Sequence, residues 1–224
     1  MSRTALMKFE EVVGDWAKKA PDAFVHAHDV IVPQLVEELK TGMVLYPPLE
    51  EKCFEAFTRC PYSSLRVVIV SNNPYSNGMA NGLAWDTDLT NQPPPALSRI
   101  LQKIKMEYPE EISERENSYL GHLPKQGVLL LNLALSCKIG LPTCHVKLWE
   151  EFSRKIIESI NRKDYVVWIL WGQKAHNVAI TNTTHCVIKG THPSPAAGNE
   201  FFKADYFRKT NVFLAKHGFV TINF

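Results

Sequence analysis

Four short apolar runs punctuate the chain, at residues 66–70, 128–132, 166–171 and 186–190. Each is rich in β-branched residues and apolar without alternation, the pattern of strands buried on both faces of a parallel sheet. Between them the period changes to that of a helix. Leu148, Phe152, Ile156, Ile157 and Ile160 recur at helical spacing and present one apolar stripe to a sheet. Further helices are expected over residues 4–19, 28–39, 50–58, 96–107, 173–180 and 204–216, the last stopped by Gly218. The alternation predicts an α/β fold: one domain over residues 1–224, with a central four-stranded parallel twisted sheet flanked by helices.

Proline and asparagine gather at residues 72–81 and 91–95. Strong patterns resume directly after each cluster, so both read as loops inside a domain and not as linkers. The charge-rich stretch 107–116 reads as a solvated loop or helix end. With 224 residues, 45% hydrophobic and 21% charged, the chain can bury a full core alone. Its net charge of +2 is too mild to announce nucleic acid, but it leaves room for a basic strip on one face. The five cysteines (Cys53, Cys60, Cys137, Cys144, Cys186) are odd in number and lack CxxC spacing. Read as reduced thiols, with no secretory leader before them, they predict a soluble intracellular protein of the cytoplasm or nucleus. Cys137, Cys144 and His145 lack the four paired ligands of a zinc site, so no metal is expected. No apolar run approaches the roughly 18 residues of a membrane helix.

The unusual polar residues fall just past the strand ends. Asn72, Asn73 and Tyr75 follow the first, Asn132 closes the second, Gly172 and Gln173 follow the third, and His192 follows the fourth. Ligands of open parallel sheets bind in the crevice outside the carboxyl ends of the strands, so four ends agree on one pocket without naming its ligand.

Several segments are similar, in order, to the motifs of the uracil-DNA glycosylase superfamily, and most of all to its main uracil branch. Val67-Val68-Ile69-Val70-Ser71-Asn72-Asn73-Pro74-Tyr75 with Gly82-Leu83-Ala84-Trp85 resembles the water-activating loop and stacking residue. Tyr46-Pro47-Pro48 resembles an early loop, Pro93-Pro94-Pro95-Ala96-Leu97 the proline-rich loop, and residues 125–132 the uracil-reading strand. Leu170-Trp171-Gly172 and His192-Pro193-Ser194-Pro195 resemble the last two motifs, and the likeness continues through Phe201-Phe202 and Lys209-Thr210-Asn211. It covers the chain from about residue 40 to the end.

The resemblance implies a glycosylase acting on a flipped base without cofactor or metal. Asn73 and His192 would be catalytic, the first orienting water and the second donating to uracil O2 as charge develops there. Asn72, Tyr75, Trp85 and Asn132 would hold the base. Trp85 stands where the family stacks a Phe, and is otherwise a core aromatic after a strand. Asn132 offers one acceptor and two donors, complementary to uracil N3–H and O4, and is otherwise a strand-end cap. Tyr75 would shut out thymine's methyl group, and is otherwise a packed loop tyrosine. Ser76, Pro95, Ala96, Gly172, Gln173, Ser194 and Ala196 would lie against DNA.

The chain departs from the family's pattern at several of these positions. Asn73 replaces the aspartate that orients water and offsets the sugar's positive charge, although the thymine and mismatch-specific branch also carries Asn there. Ser76 replaces a His, Ala96 a phosphate-contacting Ser, Gln173 a Ser, and Ala196 the Leu that wedges into duplex DNA. The partner implied is uracil-containing DNA, with single strands favoured because unstacking a duplex base without a wedge is costly. A monomer is expected, no protein partner is specified, and no membrane is involved. Two other readings stay open: a weak or inactive member that binds DNA or a protein in the same crevice, and a glycosylase for another base.

Overall fold

The computed structural model describes residues 9–88, 92–110 and 118–224. Its first half runs α1 (Trp16–Lys19), α2 (Pro21–His26), a π-helical turn (Ala27–Ile31), α3 (Val32–Lys40), β1 (Leu45–Tyr46), α4 (Leu49–Lys52), α5 (Glu55–Arg59), β2 (Val67–Ser71) and α6 (Pro95–Glu107). Its second half runs β3 (Val128–Asn132), β4 (Cys137–Lys138), α7 (Val146–Ile160), β5 (Val167–Trp171), α8 (Gln173–His176), β6 (Cys186–Gly190) and α9 (Phe207–Lys216).

The four expected strands pair in the order β3-β2-β5-β6, all parallel, with Val67 opposite both Val128 and Val167. Every residue of β2, β3 and β5 is buried, as unbroken apolar runs require. β6 differs from expectation: Ile188 alone of its residues is buried, whereas β3 at the opposite edge of the sheet is covered throughout. β1 and β4 form a separate two-stranded antiparallel sheet. On α7 the predicted stripe is buried at Phe152, Ile156, Ile157 and Ile160, but Trp149 takes the place given to Leu148, which is only partly covered. Phe24, Phe54 and Phe57 each meet Phe152 of α7 edge to face, the geometry ring quadrupoles favour.

Several helices differ from their predicted bounds for local reasons. The one expected over 4–19 breaks at Gly14, whose φ of +58° leaves the helical region, and residues 4–8 lie outside the described residues. The one expected over 28–39 starts at Pro21 and passes through the π-helical turn just before Pro33, where a proline ring cannot accept an ordinary helical hydrogen-bond pattern. The segment 50–58 divides into α4 and α5 at Cys53 and Phe54. The helix predicted over 173–180 stops at His176, because Val178 and Ile180 turn back onto the core. The last helix starts at Phe207, three residues later than expected.

The reading of residues 107–116 as solvated is corrected at its first position. Glu107 is 2% exposed, and its carboxylate accepts the backbone N–H groups of Tyr206, Phe207 and Arg208 at 2.9, 3.0 and 2.7 Å. An anion there complements the helix dipole at the start of α9, while the buried Lys103 ammonium lies 3.3 Å away. Residues 111–117 of that stretch lie outside the described residues.

Candidate active site

The carboxyl ends of β2 and β5 open into a crevice of about 600 Å³. Asn72, Asn73, Tyr75 and Ser76 line it from the loop after β2, Trp85 from the next turn, and Gly172, Gln173 and His192 from beyond β5 and β6. Ala96, at the start of α6, closes one side.

The loop after β2 is held by its own amides. Asn72 Nδ2 donates to Asn73 Oδ1 at 2.7 Å, and Asn73 Nδ2 donates to the Pro74 carbonyl at 3.0 Å. The Tyr75 hydroxyl donates to the Trp85 carbonyl at 3.2 Å, and burial pushes its pKa up, so it stays a neutral donor. Trp85 is 7% exposed, and its indole N–H donates to the Val70 carbonyl at 3.1 Å. Its ring stands edge-on to His192, with centroids 5.1 Å apart. The tryptophan is therefore a core aromatic, as one reading had it, and also a wall of the crevice.

His192 is fixed in one tautomer. The Ser194 N–H donates to Nδ1 at 3.0 Å, so a neutral ring carries its proton on Nε2, where it is a donor. Burial pushes its pKa below the ordinary value of 6.5, which favours that neutral form. Gly172, at φ +88°, makes room for the ring: a Cβ there would stand 3.2 Å from His192 Cβ.

Asn132 is placed differently from the other candidates. It is 3% exposed and is not on the crevice lining, but pairs across the β3–β2 ladder with Ser71, which is. Its Oδ1 has no hydrogen-bond partner, so that oxygen caps no local backbone. A buried acceptor left unpaired costs about 1–3 kcal/mol, and such orphans in folded proteins call for an explanation. Pro95 lines a neighbouring cleft with Arg99 and Pro195; Ala196 belongs to the 3-10 turn Pro195–Ala197 that follows Ser194. His145, near Cys137 and Cys144 in sequence, is engaged by Ser136 at 2.9 Å and Glu38 at 3.0 Å. Among the described residues, no cluster of three His, Cys, Asp or Glu side chains could hold a metal ion.

The sequence profile of the uracil DNA glycosylase superfamily matches residues 57–215. The chain belongs to that superfamily. It is 34% identical to the uracil-DNA glycosylase of Dichelobacter nodosus over 214 residues, covering 93% of each chain. It is 40% identical to uracil-DNA glycosylase 1 of Listeria monocytogenes over 177 residues, covering 76% of this chain and 79% of the relative. The crystal structure of mimivirus uracil-DNA glycosylase superposes with a TM-score of 0.78 at 19% identity, covering 98% of this chain and 84% of that one. The α/β architecture is thus the glycosylase superfamily's own.

Sequence reasoning missed Asn77, Leu83, Pro142 and Lys174, which also line the crevice. Lys174 was within reach of the strand-end argument, standing two residues past Gly172. Pro142 carries no such signal, because it arrives from the loop after β4, and only folding brings that loop beside β2.

Proposed function

We propose that this chain excises uracil from DNA by hydrolysing the N-glycosidic bond of deoxyuridine, as the first step of base excision repair. The single observation that carries the reading is the buried, unpaired carbonyl of Asn132, which pairs in the sheet with Ser71 of the crevice wall. A base edge with an N–H donor would satisfy it, and its amide nitrogen would meet O4. Trp85 supplies a face for stacking, Tyr75 narrows the space beside C5, and the backbone and side chain of Asn72 flank the base. Asn73 orients the attacking water. His192, neutral with its proton on Nε2, donates to O2 as the leaving base gains charge, which lowers the barrier without a proton transfer. Ser76, Pro95, Ala96, Gly172, Gln173, Ser194 and Ala196 lie along the strand backbone, and no cofactor or metal takes part. The protein acts as a soluble monomer.

The test is single-turnover cleavage of labelled oligonucleotides bearing one uracil, single-stranded and duplex. Wild type is expected to cleave, faster on the single strand because Ala196 offers no wedge. Asn132→Ala is expected to lose about 10–100-fold, the roughly 1–3 kcal/mol of a bidentate base contact. Full activity in Asn132→Ala would remove the base-reading role, and equal rates on both substrates would remove the strand preference.

The His192 tautomer adds a pH prediction. Its folded pKa lies below the unfolded value of 6.5, so the unfolded chain takes up the proton first. The contribution to stability is complete above 6.5 and is lost as pH falls through the folded value. Protonation also breaks the bond from the Ser194 N–H. The acid limb of the cleavage rate should therefore be centred below 6.5; an acid limb centred above 6.5 would contradict the assignment.

A further inference from the structure

Trp85 holds an unusual backbone. Its φ of +67° lies in the left-handed region, which costs a bulky side chain about 1–3 kcal/mol and persists only where the surroundings over-determine it. The restraint comes from the residues on either side. Asn81 Oδ1 accepts the Leu83 N–H at 3.1 Å, closing a tight turn. Gly82 sits at φ +92° against the Lys52 carbonyl, where a Cβ would approach to 2.1 Å. Directly after Trp85 comes Asp86, 0% exposed. Its Oδ2 accepts Asn81 Nδ2 at 3.1 Å and its Oδ1 accepts the Leu120 N–H at 3.0 Å. One buried carboxylate thus closes the 81–86 loop on itself and fastens it to a segment more than thirty residues away in sequence.

A buried carboxyl is costly unless several donors meet it. Burial pushes the Asp86 pKa up, against the pull of its hydrogen bonds from Asn81, Leu120 and Thr87. Packing alone does not call for a charge at this place. The loop carries Leu83 and Trp85 into the crevice, Trp85 as its one aromatic face, and the Trp85 carbonyl also anchors the Tyr75 hydroxyl.

We propose that Asp86 is the positioning residue for base stacking, holding Trp85 in its left-handed conformation so that the indole face and the Tyr75 gate are set before the base arrives. This rests on the reading that Trp85 stacks on uracil. Asp86 touches no substrate and acts through Trp85. Its loss should therefore weaken retention of the base more than it slows the bond-breaking step.

The experiment compares wild type, Asp86→Asn and Asp86→Ala for KM, for saturating single-turnover rate on a single-stranded uracil oligonucleotide, and for inhibition by free uracil. Thermal unfolding reports the folded fraction. Asp86→Ala is expected to raise KM and the uracil inhibition constant about tenfold, with a smaller change in the saturating rate. Asp86→Asn keeps the volume and one acceptor, so it should recover part of the loss and supplies a folded variant if the alanine does not fold. Values for a folded variant within twofold of wild type in both KM and uracil inhibition would overturn the inference while leaving the proposed function standing. Wild type that neither cleaves the oligonucleotide nor is inhibited by uracil would overturn both.

Discussion

Asn73→Asp should cleave a single-stranded uracil oligonucleotide about 10²–10³-fold faster than wild type in a single turnover, the roughly 3–4 kcal/mol of one preorganised electrostatic contact. The amide of Asn73 can align a water, but it adds no negative charge opposite the cationic sugar. One neighbour favours the gain and the other sets where the charge points. Asn72 Nδ2 already donates to Asn73 Oδ1 at 2.7 Å, and a carboxylate oxygen accepts that bond equally well. The second oxygen would replace an amide nitrogen that now donates to the Pro74 carbonyl at 3.0 Å. Two acceptors repel at that distance, so the carboxylate should turn from Pro74 and present its free oxygen elsewhere in the loop. A variant no faster than wild type would mean that the charge is not the missing term. Cleavage by the variant alone would mean a scaffold turned off at one residue.

The second large effect is on stability. Glu107→Ala should destabilise the fold by about 3–5 kcal/mol, the usual result of removing one partner of a buried ion pair. It strands the buried Lys103 ammonium, whose remaining contacts are the Phe202 carbonyl at 3.1 Å and Asp205 at 3.8 Å. It also leaves the N–H groups of Tyr206, Phe207 and Arg208 without their acceptor. Denaturant titration measures the loss, and a change under about 1 kcal/mol, typical of an exposed pair, would show that the site is wet in solution. The same helix joint stands behind the crevice wall, since Tyr206 and Phe207 pack edge to face on Trp171, which packs on Trp85.

The strands of the sheet and much of the crevice lining were legible in the residue pattern. Apolar runs of β2, β3 and β5 are unbroken because strands covered on both faces admit no alternation, so each is legible without knowing its neighbours. Polar residues that interrupt the chain just after such runs must stand at the carboxyl edge, and this brought Asn73, Tyr75, Gly172, Gln173 and His192 to one place. β6 was legible as a strand but not as one left partly uncovered, because which strand the helices cover is a tertiary property.

Three features arise only once the chain has packed. Glu107 reads as one more charge in an acidic stretch until α9 delivers three N–H groups to it from a hundred residues away. His192 acquires its tautomer from Ser194 and its lowered pKa from burial, and neither follows from a His-Pro-Ser-Pro string. Asp86 has no pattern to announce it, since its meaning lies in the left-handed backbone of Trp85 and in Leu120 across the fold. Periodicity records which face of an element is dry, a local quantity that survives in the sequence. The partner of a buried polar group is set by where distant elements meet, and it exists only once they have packed.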